Sequence, residues 1–258
     1  MREKQITYKP ITFIAITFVV TWICAFIKAY QIWFSYDTVL GKILLISIDF
    51  FESASPLLAA LILLRQSFRI KGGLFQYFFG HKPQALPYVI VLFLFAIQFL
   101  TFYLFGQFNN AISLTAFLGA WGGQMLLGGG MEEGGWRGYL QPAFEEKVHI
   151  TVSVIIVAFV WALWHLPYFF LPNTFHTGSS FLMYMATTTA TAFTLTAIYK
   201  LTGSVLVCTL FHGWQNAIVM SISPNLEHPG FLTLFALQTV VSIILCMKPL
   251  GLSPRKLF

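Results

Sequence analysis

Long apolar runs separated by short polar segments dominate the chain. A membrane-spanning helix needs about 20 mainly apolar residues, and eight runs approach that length. Their approximate bounds are 11–29, 43–64, 86–106, 112–131, 150–170, 181–200, 203–221 and 230–247. The fourth run departs most from the pattern because it is rich in glycine and ends in charge. The pattern predicts one all-α domain over residues 1–258, a polytopic membrane helix bundle of about eight transmembrane helices.

Composition supports lipid as the main surroundings of this bundle. Hydrophobic residues make up 57% of the chain and charged residues only 9%, whereas soluble domains carry about 25% charged residues. The net charge of +6 does not indicate a nucleic-acid partner, because the basic residues are scattered over short loops rather than clustered. We therefore predict a multi-pass protein of the cell membrane whose partner is the lipid bilayer.

The basic residues also predict an orientation. Positive charge stays on the cytoplasmic side of membranes, and a cytoplasmic N-terminus puts 13 of the 15 basic residues on that side. These residues are Arg2, Lys4, Lys9, Arg65, Arg69, Lys71, Lys82, Arg137, Lys147, Lys200, Lys248, Arg255 and Lys256. Only Lys28 and Lys42 fall outside. Eight spans return the C-terminus to the cytoplasm as well.

A glutamate pair follows the fourth run, within Gly128–Gly138. Charged groups at membrane depth cost roughly 2.5–3.5 kcal/mol each on insertion, so function is the default hypothesis where they occur. In a helix, Glu133 and Arg137 share a face, while Glu132 points about 100° away. One carboxylate can then pair with Arg137 while the other points into a cavity. The alternative is a solvated loop with surface charges.

Histidines and an asparagine interrupt two later runs. His165 lies in the fifth run, and His212 and Asn216 lie four residues apart in the seventh. Each one alone fits a buried structural residue or a hydrogen bond between helices. Together with Glu132 they predict polar groups from several helices around one cavity, which we expect to open toward the cytoplasmic half of the membrane.

Other polar or reactive residues in the apolar runs give weaker signals. Asp49 and Glu52 lie three apart in the second run and fit an ion site or a structural polar cluster near the outer surface. We favour the structural interpretation. Cys24, Cys208 and Cys246 show no paired or metal-ligand spacing, so no redox or metal role is predicted for them.

The ordered set of polar residues resembles the CAAX-protease and bacteriocin-processing family, also called the Abi family. Glu132, Glu133 and Arg137 match its first motif, two glutamates followed after three residues by arginine. His165 matches its second, phenylalanine, three residues and histidine, although Trp161 replaces the phenylalanine and keeps an aromatic wall. His212 and Asn216 match the last. The matched core covers about residues 130–220.

The resemblance implies an eight-helix intramembrane endopeptidase that acts on membrane-associated protein or peptide substrates. Eukaryotic members remove the last three residues of prenylated proteins, and bacterial members include bacteriocin-immunity and peptide-processing proteins. Two other classes remain open: an ion-coupled transporter using Asp49 and Glu52, and a non-catalytic immunity or binding protein on the same scaffold.

For peptide hydrolysis we expect Glu132 to be the general base, since desolvation raises the pKa of a carboxyl in a low-dielectric cavity toward neutrality. His165 would hold the water, and His212 and Asn216 would stabilise the oxyanion. Glu133 and Arg137 would form a supporting ion pair. Glu132, His165 and His212 are also acceptable zinc ligands with an open fourth position, although the HExxH motif is absent. A divalent metal is thus an open alternative.

Overall fold

Helices make up almost all of the fold. The computed structural model describes residues 8–30, 37–65, 73–80, 85–108, 113–172, 176 and 178–247. The helices are α1 (Pro10–Ala29), α2 (Val39–Leu64), α3 (Gly73–Phe79), α4 (Ala85–Phe105), α5 (Leu114–Leu127), α6 (Glu132–Gly135), α7 (Gln141–Glu145), α8 (Ile150–Trp164), α9 (Phe181–Thr202), α10 (Val205–Ser221) and α11 (Pro229–Met247). A π-helical turn (Trp136–Leu140) joins α6 to α7, and a 3-10 turn (Leu166–Phe169) follows α8.

Every one of the eight predicted runs contains an apolar helix. Five of these helices, α1, α2, α4, α9 and α11, are long and apolar enough to cross a membrane. The other three, α5, α8 and α10, are apolar but shorter. The predicted class, a polytopic membrane helix bundle, is confirmed, and so is a multi-pass membrane location.

The fourth and fifth runs end earlier than the sequence predicts. The run 112–131 gives a helix only to Leu127, because a turn follows from Gly128 and a second helix begins at Glu132. α8 ends at Trp164, since Pro167 lacks the backbone N–H that would continue the helix. Both breaks leave polar residues at helix ends, where backbone direction changes inside the bundle.

Arg137 differs from the other basic residues that were predicted to be cytoplasmic. It was expected among the cytoplasmic basic residues, but its side chain is fully buried in the π-helical turn. π turns are rare and insert one extra residue into a helix, frequently at functional sites. The predicted basic residues before Tyr8 and after Met247 lie outside the described residues, as do Arg69, Lys71 and Lys82.

Two glycines let α6 and the π-helical turn approach their neighbours closely. A Cβ at Gly134 would collide with Leu57 of α2, and one at Gly138 would collide with the Tyr77 ring of α3. The Tyr77 hydroxyl also donates to the Gly134 carbonyl. Small residues allow membrane helices to pack at short distance, so these contacts fix the segment that carries Glu132 against α2 and α3.

One end of the bundle, the basic end, is defined by two contacts. The Lys9 backbone N–H donates to the Tyr139 hydroxyl at 2.7 Å, and Lys200 pairs with Glu145. α1 therefore starts at this end, and α9 finishes at it.

The opposite end, the ribbon end, carries a short antiparallel pair of strands. β1 (Gln107–Phe108) follows α4, and β2 (Ile222–Ser223) follows α10. The pairing joins the α4–α5 connection to the α10–α11 connection. Successive long helices run in alternating directions between the two ends, so Ala29 and Phe181 also lie toward the ribbon end.

Candidate active site

Glu132 lies at the start of α6 and is only 4% exposed. Its Oε2 accepts hydrogen bonds from two indoles, from Trp161 Nε1 at 2.7 Å and from Trp136 Nε1 at 3.1 Å. Within the described residues no donor reaches the other oxygen, Oε1. The carboxylate is thus fixed through one oxygen, and the second is left for a water molecule or a substrate.

The turn before Glu132 is fixed by two neighbouring helices. Ser53 Oγ of α2 donates to the Gly128 carbonyl at 2.7 Å. Thr209 Oγ1 of α10 donates to the Gly130 carbonyl at 2.8 Å. Buried carbonyl groups need such partners where helical hydrogen bonding stops. These bonds set the position at which α6 begins, and therefore the position of Glu132.

Glu133 connects Arg137 to His212. One guanidinium nitrogen of Arg137, Nη1, lies 3.1 Å from Oε2 and 3.2 Å from Oε1 of Glu133. The Oε1 atom also lies 2.8 Å from Nδ1 of His212. All three side chains are buried. Since Nδ1 faces a carboxylate, it carries the proton, and Nε2 is the ring nitrogen available for chemistry.

His165 caps the C-terminus of α8 and is 8% exposed. Its Nδ1 lies 3.0 Å from the Trp161 carbonyl. A carbonyl can only accept, so Nδ1 donates and the Nε2 lone pair is free. The Trp161 ring contacts both imidazoles, with ring centroids 6.2 Å from His165 and 5.1 Å from His212. The two histidines and Glu132 therefore converge on one indole.

Asn216 is held by α5. Its Nδ2 donates to Gln124 Oε1 at 3.1 Å. One amide hydrogen is engaged there, and an amide NH₂ group carries two. The second amide hydrogen is therefore available to another acceptor. Sequence reasoning did not single out Gln124, because a lone glutamine in a glycine-rich run gives no spacing signal.

These residues line one cavity of about 640 Å³. Glu132, His165, His212 and Asn216 all contribute to its wall, whereas Glu133 and Arg137 lie behind it. The volume is within the range of pockets that bind small ligands. The four polar residues proposed for hydrolysis therefore share one space.

The donor set does not form a three-ligand metal group. Within the described ranges, no three His, Cys, Asp or Glu side chains are grouped closely enough to hold a metal ion. Glu132 and His212 are instead engaged with indole and carboxylate partners.

A second charged cluster lines the same cavity. Lys28 Nζ lies 2.8 Å from Asp49 Oδ1 and 2.5 Å from Glu52 Oε2. The sequence suggested Asp49 and Glu52 as a polar cluster or ion site and placed Lys28 on the outer side, but it did not connect the lysine with them. Lys28, which lies on α1, neutralises part of the negative charge of these two carboxylates. Helix-to-helix partners of this kind cannot be identified from one-dimensional spacing.

Trp161 is the most informative residue that sequence reasoning undervalued. Its indole was interpreted as an aromatic wall in place of phenylalanine. The structure adds a hydrogen bond to Glu132 that a phenylalanine ring cannot make. Trp136 lies four residues after Glu132 and adds the second donor. In the sequence, the spacing of four residues between Glu132 and Trp136 could have indicated this second hydrogen bond.

Comparison with known proteins agrees with the motif assignment. Residues 113–218 match the family described as "Type II CAAX prenyl endopeptidase Rce1-like". All six candidate residues, Glu132, Glu133, Arg137, His165, His212 and Asn216, lie in this segment, whereas the Lys28 cluster lies outside it.

A curated relative is similar over much of the chain. "CAAX prenyl protease 2" of Methanococcus maripaludis is 28% identical over 179 residues, which cover 65% of this chain and 65% of the relative. The chain therefore spans just under two thirds of that protein's length. These two matches show that the central part of the chain is similar to CAAX proteases.

Proposed function

We propose that this protein is an intramembrane endopeptidase that hydrolyses peptide bonds of membrane-associated proteins or peptides. The observation that carries the proposal is the arrangement at Glu132. Two indoles hold one carboxylate oxygen, and the other lies in a cavity shared with two histidines. This combination of a restrained base and nearby imidazoles suits activation of water. Peptide processing or bacteriocin self-immunity is the biological setting we propose.

The first chemical step is attack by water. Glu132 Oε1 accepts a proton from the water as its oxygen bonds to the scissile carbonyl carbon. His165 Nε2 accepts the water's other hydrogen bond and orients it. The carbonyl oxygen becomes an oxyanion, which the second Nδ2 hydrogen of Asn216 and an Nε2–H of His212 stabilise. In this role His212 carries a proton on each ring nitrogen, with Nδ1–H directed at Glu133 Oε1 and Nε2–H directed at the oxyanion.

The second step breaks the C–N bond. The tetrahedral intermediate collapses, the carbonyl re-forms, and the leaving amine takes the proton that Glu132 received. One water is consumed and two peptide products leave. Glu132 returns to its ionised state, held again by Trp136 and Trp161.

The competing transporter hypothesis is less well supported. Its evidence was Asp49 and Glu52, and both carboxylates are paired with Lys28. Lys28 halves the negative charge of this carboxylate pair and occupies an oxygen of each carboxylate, so the pair is a weaker cation site than two free carboxylates. The hypothesis also leaves Glu132 and the two histidines without a role.

Comparison of membrane peptides tests the proposal directly. Cells that produce the wild-type protein should contain processed peptides that are missing from cells producing Glu132→Gln, as measured by mass spectrometry of membrane fractions. Glu146→Gln is the matched control, since it removes an exposed carboxylate at the basic end. Identical peptide profiles for wild type and Glu132→Gln would refute the proposed activity.

Trp161→Phe should lower turnover by about tenfold or more. The change removes one hydrogen bond to an ionised carboxylate, worth about 1.5–3 kcal/mol, and keeps an aromatic ring beside both histidines. Turnover of a processed peptide by purified protein measures the effect. Trp22→Phe is the control, because that indole donates to the Trp164 carbonyl instead. Equal losses in both variants would mean that Trp161 acts only through packing.

Asn216→Ala should leave residual turnover. Loss of one oxyanion donor typically lowers the rate by about 10²–10³-fold, which is smaller than loss of the nucleophilic water. Gln124→Ala should have a weaker effect, since it only releases the Asn216 amide. Steady-state kinetics on both variants check the order. A larger effect for Gln124→Ala than for Asn216→Ala would contradict the oxyanion role.

A further inference from the structure

α3 is too short to cross the membrane, yet it lies between two helices that can. Its seven residues, Gly73–Phe79, extend about 10 Å, whereas the hydrocarbon core of a bilayer is about 30 Å thick. α2 precedes it and α4 follows it, and both are long and apolar enough to span a membrane. α3 therefore belongs to a connection at one surface of the membrane.

The inner face of α3 is fixed to the basic end of the bundle. Ser204 Oγ, at the start of α10, donates to the Phe78 carbonyl at 2.8 Å. Gly80, just after α3, has a positive φ, and a Cβ there would lie 2.6 Å from the Thr202 carbonyl at the end of α9. Because α9 ends and α10 begins at the basic end, α3 lies at this end as well.

The outer face of α3 is apolar and exposed. Leu74, Phe75 and Phe79 are 47%, 64% and 48% exposed, and the rings of Phe75 and Phe79 stack with their centroids 4.6 Å apart. A helix that lies in the plane of the membrane–water interface places Phe and Leu side chains at the boundary between headgroups and acyl chains. The length, location and outer face of α3 fit this arrangement.

The sequence around α3 is basic. Residues 65–84 contain four basic residues and no acidic residue, and the basic residues are Arg65, Arg69, Lys71 and Lys82. Each Lys or Arg near an anionic membrane surface contributes about 1 kcal/mol of attraction. A second copy of this chain would bring the same positive charge to the contact and would be repelled. The charge therefore favours a bilayer with anionic lipid as the partner of this face.

Tyr77 connects the inner face of α3 to the segment that carries Glu132. The side chain of Tyr77 is fully buried, and its hydroxyl donates to the Gly134 carbonyl. Its ring also occupies the space that a side chain at Gly138 would need. Gly134 lies two residues after Glu132 in α6, and Gly138 lies in the π-helical turn that follows. A displacement of α3 would therefore move a direct contact of the segment that positions Glu132.

We propose that the outer face of α3 binds anionic lipid, and that this binding stabilises the position of Glu132 through Tyr77. The partner is a bilayer-forming lipid with an anionic headgroup, for which phosphatidylglycerol serves as the probe. The lipid-binding face and its connection to α6 rest on contacts, exposure and charge. Only the effect of the lipid on turnover rests on the proposed function.

Spin labelling tests the depth of α3 in the membrane. Single cysteines are introduced into a background in which alanine replaces the buried cysteines, Cys24, Cys208 and Cys246. A nitroxide is attached to Phe75→Cys, to Leu92→Cys on the exposed side of α4, and to Glu146→Cys at the basic end. Oxygen and a water-soluble nickel complex then report immersion in vesicles of phosphatidylcholine mixed with an equal part of phosphatidylglycerol.

Position 75 should be immersed more deeply than position 146 and less deeply than position 92. Position 75 as open to the nickel complex as position 146, or as deep as position 92, would overturn the interfacial location of α3. Protection of position 75 from both reagents would indicate a protein contact and would overturn the lipid as its partner.

Hydrogen exchange tests the coupling without a substrate. Backbone amides of residues 132–141 should exchange more slowly in the mixed vesicles than in phosphatidylcholine alone, and Tyr77→Phe should abolish this difference. Val148→Ser is the control, because it changes an exposed apolar side chain at the basic end that is not on α3. If Tyr77→Phe lowers thermal stability, Phe75→Ser with Phe79→Ser repeats the test with the inner contacts intact. Equal exchange of the wild type in both lipids, or a difference that survives these variants, would overturn the coupling.

Turnover of a processed peptide in the same vesicles measures the functional effect. Phosphatidylglycerol should raise turnover by about fivefold or more, the lower limit of typical coupling between two sites, and Phe75→Ser with Phe79→Ser should remove the increase. Equal turnover in both lipids would refute the regulation. Lipid-dependent exchange without turnover in any lipid would instead refute the proposed function and leave the lipid-binding face in place.

Discussion

Glu132→Gln should abolish turnover while leaving the fold intact. The amide keeps an oxygen that accepts from Trp136 and Trp161, but it cannot accept a proton from water. General acid–base catalysis contributes typically 10²–10⁴-fold. We expect a loss of at least this size, because no other carboxylate occupies the position of Glu132 to accept the proton. Turnover of a processed peptide and thermal stability of the purified protein should be measured together.

Two controls make the result specific. Glu146→Gln removes an exposed carboxylate and should retain full turnover. Glu52→Gln removes a carboxylate of the same cavity that pairs with Lys28 and should retain most of it. Full activity of Glu132→Gln would refute Glu132 as the base, and loss of its folded state would instead assign the residue to structure.

Arg137→Ala should lower the amount of folded protein as well as activity. The guanidinium is fully buried, pairs with Glu133 at 3.1 Å and lies over the Trp161 ring at 5.1 Å. Its loss leaves the Glu133 carboxylate buried beside His212 with no permanent cation. Breaking a buried ion pair from one side costs about 3–5 kcal/mol, which is a large part of a typical folding free energy.

The double variant Glu133→Gln with Arg137→Leu separates charge from packing. It removes both charges, and replacing a buried pair by uncharged residues is often neutral, so folded yield should recover while activity stays low. Lys200→Ala is the comparison for a partly exposed pair with Glu145, where we expect less than about 1 kcal/mol. Normal stability of Arg137→Ala would move this residue from structural support to substrate binding.

The sequence predicted the helices because hydrophobicity is a local property. Each apolar run formed a helix, and Glu132 and His165 were recognisable because they are polar residues in or beside apolar runs. The ends of the runs were less predictable. The turn at Gly128 depends on hydrogen bonds from Ser53 and Thr209, which lie far away along the chain.

Contacts between helices that are distant in sequence were the part that the sequence could not predict. The Lys28 cluster and the Gln124 contact join helices distant in sequence. The burial of Arg137 depends on the π-helical turn, and such a turn produces no regular pattern of polar and apolar residues in the sequence. The roles of the candidate residues, and the assignment of residues 130–220 as the catalytic core, stay predictions until the variants above are measured.

The two indoles that donate to Glu132 should report its protonation through their fluorescence. The chain has seven tryptophans, and two of them donate to this carboxylate. A hydrogen bond to an ionised acceptor is roughly twice as strong as one to a neutral acceptor, so the emission of these indoles should change when Glu132 takes up a proton. A pH titration of intrinsic fluorescence should therefore show a transition in the wild type that is absent from Glu132→Gln and reduced in Trp161→Phe. An unchanged transition in Glu132→Gln would assign the signal to other groups. Protonation of the proposed base could then be followed without a substrate, a label or a known biological target.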